Sequence, residues 1–146
     1  MKLALRIVLV ILFIAFLGAG YILWTMFSDR SEVVEHVDTV DWLPASASNI
    51  SYYMNKNITG MLTCEFAIAE SDFLDFAMQN EWPVSKMESP INVTRYTKFI
   101  EKSKTSDHYA VVEQGYYYSK QWPNGAHISV AYDLVRQIAY LNRSSR

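Results

Sequence analysis

Residues 7–27, IVLVILFIAFLGAGYILWTMF, contain no charged side chain. As an α-helix rising ~1.5 Å per residue, such a run is roughly 31 Å long, which matches a hydrocarbon core ~30 Å thick. Leu, Ile, Phe and Val each favour insertion by about 0.3–0.6 kcal/mol near the centre of a span, which outweighs Gly18 and Gly20. The sequence therefore predicts a transmembrane anchor over 7–27 behind a short tail, residues 1–6. Lys2 and Arg6 precede the run, whereas Asp29, Glu32, Glu35, Asp38 and Asp41 come after it with Arg30 as the nearby cation. The positive-inside bias then predicts a single-pass signal-anchor in the membrane, with a cytoplasmic N-terminus and an extracytoplasmic (periplasmic) C-terminal domain. The alternative is a cleaved secretory signal, with Lys2 and Arg6 as its basic start and Gly18-Ala19-Gly20 as small residues for cleavage. Tyr21, Ile22, Leu23, Trp24, Met26 and Phe27 carry the apolar run beyond the ~7–15 residues usual for such a signal.

The rest of the chain is acidic. Two of the 13 cations precede the apolar run, leaving 11 against 15 acids in residues 28–146, a net charge near −4. Nucleic acid is thereby disfavoured as a partner, since phosphate contacts need a basic face. The single cysteine, Cys64, precludes an internal disulfide, so stability must come from packing.

Residues 28–44 read as an acidic stalk, with Val33, Val34, Val37 and Val40 at roughly helical spacing and Pro44 ending it. The remaining domain, 45–146, shows strand alternation over 49–56, where Ile50, Tyr52 and Met54 interleave with polar residues. A second strand lies over 61–69, with Leu62, Cys64, Phe66 and Ile68 on one face. A helix begins near Ser71, its expected cap, and carries the stripe Phe73, Leu74, Ala77 and Met78 to Asn80. Residues 109–118 read as one strand. Asn124-Gly125 marks a hairpin turn, since both residues tolerate positive φ, and 126–132 and 138–142 complete a meander. The predicted fold class is α+β: an N-terminal transmembrane helix, then an antiparallel sheet in the order β-β-α-β-β-β with one packed helix.

Few residues promise chemistry. Cys64 as a nucleophile needs a base, for which His108 or His127 is available, yet it is in phase with the apolar residues of its strand. His36, His108 and His127 form no metal-binding spacing, and no phosphate loop or nucleophile elbow occurs. Neither a cofactor nor a metal is implied. Glu70, Asp72 and Asp75 cluster where a helix N-terminus stabilises negative charge anyway. Four Asn-x-Ser/Thr patterns, at Asn49, Asn57, Asn92 and Asn142, are acceptors for glycosylation only in a host that attaches it.

The aromatic residues are the better lead. Tyr116, Tyr117 and Tyr118 alternate faces, so one side of their strand can join Tyr109 or Tyr53 in an exposed patch. The candidate binding surface is therefore Tyr53, Tyr109, Tyr116, Tyr117 and Tyr118. The expected function is a non-catalytic, membrane-anchored extracytoplasmic domain that binds another envelope protein or an envelope polymer. Two alternatives stand beside it: a Cys64-dependent enzyme, and a small subunit of a membrane complex.

Two stretches carry a resemblance. Leu43-Pro44 with Ala47, Ile50, Tyr52-Tyr53, Glu65-Phe66 and Asp72-Phe73-Leu74, and later Gly115-Tyr116-Tyr117-Tyr118, Asn124-Gly125, Val130-Ala131-Tyr132-Asp133 and Ala139-Tyr140, resemble a group of small uncharacterised bacterial membrane-anchored proteins. That resemblance implies the same architecture and no activity.

Overall fold

The computed structural model describes residues 13–22, 24, 31–56, 60–100 and 102–145. The chain divides into two compact units, Met1–Arg30 and Ser31–Arg146.

In the first unit, residues 13–22 and 24 are helical and their side chains are exposed. Among the described residues no helix is long and apolar enough to cross a membrane. This corrects the transmembrane expectation for 7–27 and the assignments built on it: signal-anchor, single-pass topology, membrane localisation, and an extracytoplasmic C-terminal domain. Residues 1–12, 23 and 25–27 of the expected tail and span lie outside the described residues.

The second unit is built on a seven-stranded antiparallel sheet. Its strands are β1 (Ser31–Val37), β2 (Ser48–Asn55), β3 (Met61–Ala67), β4 (Ser85–Lys86), β7 (Gly115–Gln121), β8 (His127–Asp133) and β9 (Ile138–Ser144), in the order β1-β2-β3-β9-β8-β7-β4. Strands β5 (Ile91–Thr94) and β6 (Tyr109–Val112) form a separate two-stranded ribbon, and helix α1 spans Glu70–Gln79. The expected β-β-α-β-β-β order is thus corrected to three strands, a helix and six more strands in two sheets. The supposed stalk contains β1, which pairs with β2, and the expected strand 109–118 breaks between β6 and β7.

Strand β7 begins at a close approach to β8. A Cβ on Gly115 would lie 1.7 Å from the Tyr132 carbonyl oxygen, so only glycine lets β7 start so close to β8.

Alternation sorts the sheet into two buried faces. On one, Tyr52, Cys64, Leu141 and Val130 succeed each other across β2, β3, β9 and β8. Helix α1 covers this face: Phe73 stacks on Tyr132 at 4.7 Å between ring centroids, and Phe76 meets Phe66 edge-on at 6.3 Å. The Tyr132 hydroxyl donates to the Ile68 carbonyl at 3.0 Å, so this buried tyrosine keeps its hydrogen bond. A ten-residue helix is marginal alone, and each buried ring contributes about 1.5–3 kcal/mol of docking. Ser71, the expected cap, sits inside the first turn. Ala69 holds the cap position without a side-chain hydrogen bond.

The ribbon β5–β6 covers the opposite face, where Val93, Ala110 and Val112 pack on Ala131 and Tyr140. An ion pair pins the segment after β5: Arg95 donates from Nε and a terminal nitrogen to the two Glu65 oxygens at 2.8 and 2.6 Å.

Candidate binding cleft at the end of helix α1

A strand of seven residues runs roughly 23 Å, whereas a ten-residue helix runs roughly 15 Å. Helix α1 therefore leaves one end of its sheet face uncovered. A cleft of ≈ 490 Å³ opens there, lined by Asn80, Glu81 and Trp82 after the helix and Tyr118 and Lys120 on β7. Trp122, Asn124 and Ala126 of the β7–β8 turn, His127 and Ile128 on β8, and Arg143 and Ser144 on β9 with Ser145 after it complete its walls.

The helix end shapes one wall. Glu81 N–H donates to the Met78 carbonyl at 3.0 Å and Trp82 N–H to the Ala77 carbonyl at 2.9 Å. This is the paired Schellman pattern, which needs a left-handed residue between them. Glu81 fills that place at φ 59°, where glycine is usual. The reversal sets Trp82 edge-on against Phe76 at 5.3 Å.

The opposite wall comes from the hairpin. Trp122 N–H donates to Ala126 O and Gly125 N–H to Trp122 O, both at 2.9 Å, with Gly125 at φ 83°. Asn124 accepts from Ala126 N–H through its side-chain oxygen at 3.0 Å. Trp122, 39% exposed, carries the Lys120 ammonium 5.0 Å from its ring centroid.

Three aromatic rings, two amides and three charges thus share one concavity. Lys120 and Arg143 outnumber Glu81, so the cleft is locally cationic in an acidic domain. Such a mixture of apolar area and a few placed polar groups is what ligand sites use.

The five tyrosines expected to form a surface are dispersed. Tyr118 lines the cleft. Tyr116 shares its face, but its hydroxyl donates to Glu70 at 2.7 Å and its ring lies 6.5 Å from Tyr132. That hydrogen bond raises the Tyr116 pKa. Tyr117 faces the other way and packs with the ribbon's core. Tyr53 stacks on Phe99 at 4.7 Å. Tyr109, 46% exposed on β6, has Lys98 5.2 Å from its ring. Tyr117 and Phe99 meet instead in a smaller hollow of ≈ 270 Å³ between ribbon and sheet. Alternation alone did not reveal Trp82 and Trp122. Their signal was position: each comes after an element end and precedes a proline.

Cys64 lies in the core beneath the helix, and burial raises its thiol pKa far above the ordinary value. His127 points with Ser119, whose hydroxyl is 3.3 Å from its Nε2, and His108 Nε2 is 2.9 Å from the Ser103 hydroxyl. No nucleophile–base contact joins either histidine to Cys64 among the described residues. Nor does a group of three metal-binding side chains occur among them. No protein family, curated protein or solved structure matches the chain.

Proposed function

We infer that the unit Ser31–Arg146 is a non-catalytic interaction domain that takes its ligand in the cleft at the end of α1. One observation carries the reading: Trp82, Tyr118 and Trp122 line a single concavity together with the cations Lys120 and Arg143. Trp, Tyr and Arg are the side chains that concentrate binding energy, because they offer large rigid area and directional polar groups together. A buried thiol and separated histidines favour binding over covalent chemistry.

A fragment screen by NMR on the isotope-labelled full chain tests this while the ligand is unidentified. Hits are expected to move the indole N–H signals of Trp82 and Trp122 together. Hits that scatter over the surface, or that gather around Tyr117 and Phe99 in the smaller hollow, would overturn the reading.

A further inference from the structure

Strand β7 is paired along its whole length with β8, from Gly115↔Asp133 to Gln121↔His127. On its other side, among the described residues, it meets only β4, at Ser85↔Tyr117 and Lys86↔Tyr116. The bond from Met87 N–H to Gly115 O, 2.9 Å, fixes the phase. The Gly115 carbonyl points away from β8, so the backbone groups of Tyr117, Ser119 and Gln121 do too. The opposite phase is seen at Trp122, whose N–H returns to Ala126. Ser119 and Gln121 therefore direct two N–H and two C=O groups outward, with no strand beside them among the described residues.

The gap has a local origin. Upstream of β4, Pro83 has no N–H to contribute, and Val84 N–H turns back to Trp82 O at 2.8 Å. The chain leaves the sheet where the cleft begins.

The other open edge, β1, is guarded differently. It carries Glu32 and Glu35 and a bulge between Val34 and Val37, with His36 at φ 55°. Bulges and charges blunt an edge against pairing. The outer half of β7 keeps a regular register to its last residue.

We propose that this half of β7 receives an extended acidic peptide segment of a partner protein as an added strand. The proposal rests on the cleft as the binding site and names its ligand. Main-chain bonds to Ser119 and Gln121 would anchor the segment. Every second side chain would fall on the face of Tyr118 and Lys120, against the tryptophans. A carboxylate there meets Lys120 and Arg143 in a cleft with one acid, Glu81. Charge complementarity thus selects an acidic segment over a basic one.

The test starts from a displayed library of random nonapeptides, selected on the folded full chain. Acidic, proline-poor peptides are expected to enrich. N-methylation of the best peptide at alternate positions should abolish binding in one phase, by tenfold or more, and leave the other phase unchanged. Bound peptide should slow exchange of the Ser119 and Gln121 amides at least tenfold. Ser119→Pro removes one outward N–H at an edge, where proline is tolerated, and should lose binding with unchanged thermal unfolding. Should that variant misfold, the methylated series still decides. Lys120→Ala with Arg143→Ala should weaken binding about tenfold. Absence of enrichment overturns the proposal, as does a galacturonic-acid hexamer that displaces the peptide at lower concentration. Binding that moves both indoles but ignores the methylation phase overturns strand addition and leaves the cleft reading intact.

Discussion

Arg95 and Glu65 meet in a two-pronged ion pair across thirty positions of sequence, joining the segment after β5 to the interior strand β3. Their side chains are only 32% and 14% exposed, so each depends on the other to offset lost hydration. Arg95→Ala should cost about 2 kcal/mol, because a largely buried carboxylate remains without its partner. The double change Glu65→Leu with Arg95→Met should recover most of that loss. Urea midpoints of the native chain and both variants check it. A double variant as unstable as the single one contradicts it.

Gly115→Ala should be more damaging than any surface change. Its Cβ would enter the Tyr132 carbonyl, a backbone atom that cannot swing aside. A cost of about 3 kcal/mol or more is expected from such overpacking. Denaturant unfolding measures it, and a midpoint shift of less than half that size refutes the close approach.

Glu81 holds a left-handed conformation that disfavours a side chain by about 1 kcal/mol. Glu81→Gly should therefore stabilise the protein by roughly that amount, visible as a higher melting temperature. Unchanged or lower stability denies that Glu81 is strained. Strain kept at the rim of a cleft fits a residue retained for what it presents there.

Tyr96 is buried, and burial together with the hydrogen bond to Glu35 (2.8 Å) lifts its pKa from 10.0 to about 12. Between those values the folded state binds a proton that the unfolded state has released. Stability is therefore full below about pH 10 and falls as pH rises towards 12. Tyr96→Phe should make that alkaline decline shallower, the rest being shared by Tyr52, Tyr116, Tyr132 and Tyr140, whose pKa values are also raised, while lowering stability slightly at neutral pH through loss of the Glu35 bond. Unfolding free energies at about pH 8, 10 and 12 decide it. An equally steep decline in the variant counts against Tyr96.

Cys64 should resist thiol reagents in the native state. The residue is 1% exposed beneath α1, and burial disfavours its thiolate. Labelling at about pH 8 should run at least about a hundredfold slower than in urea, since the reagent needs the thiolate and access to it. Equal rates would place the thiol at the surface.

Sequence alternation was legible wherever a strand kept a regular partner. Cys64 and Phe66 point into the core from β3 as their period predicts, and a turn does fall at Asn124-Gly125, though with positive φ at Gly125 and not at Asn124. The β1 valines misled for a physical reason. The bulge lets Val34 oppose Tyr52 and Val37 oppose Ile50, so a spacing of three puts both on one face of a strand. That spacing mimics a helix. The break before β7 was invisible because β6 joins β5 in the ribbon and β7 joins β8 in the main sheet, a change of partner that periodicity does not report. The apolar N-terminal run gave a transfer preference, whereas among the described residues no helix is long and apolar enough to cross a membrane. The cleft was unreadable since Trp82 and Arg143 belong to elements that only the sheet order brings together.

Strand β3 has the much later strand β9 as its neighbour, with Met61 opposite Ser144. A ribosome adding about 5–20 residues per second needs roughly 4–15 s between completing β3 and delivering its partner. Until then the β1–β2–β3 portion presents an open hydrogen-bonding side, and the Phe66 and Cys64 side chains lack their final cover. Completion of this sheet therefore waits on the synthesis of β9, and the interval before it is when holding chaperones would matter most.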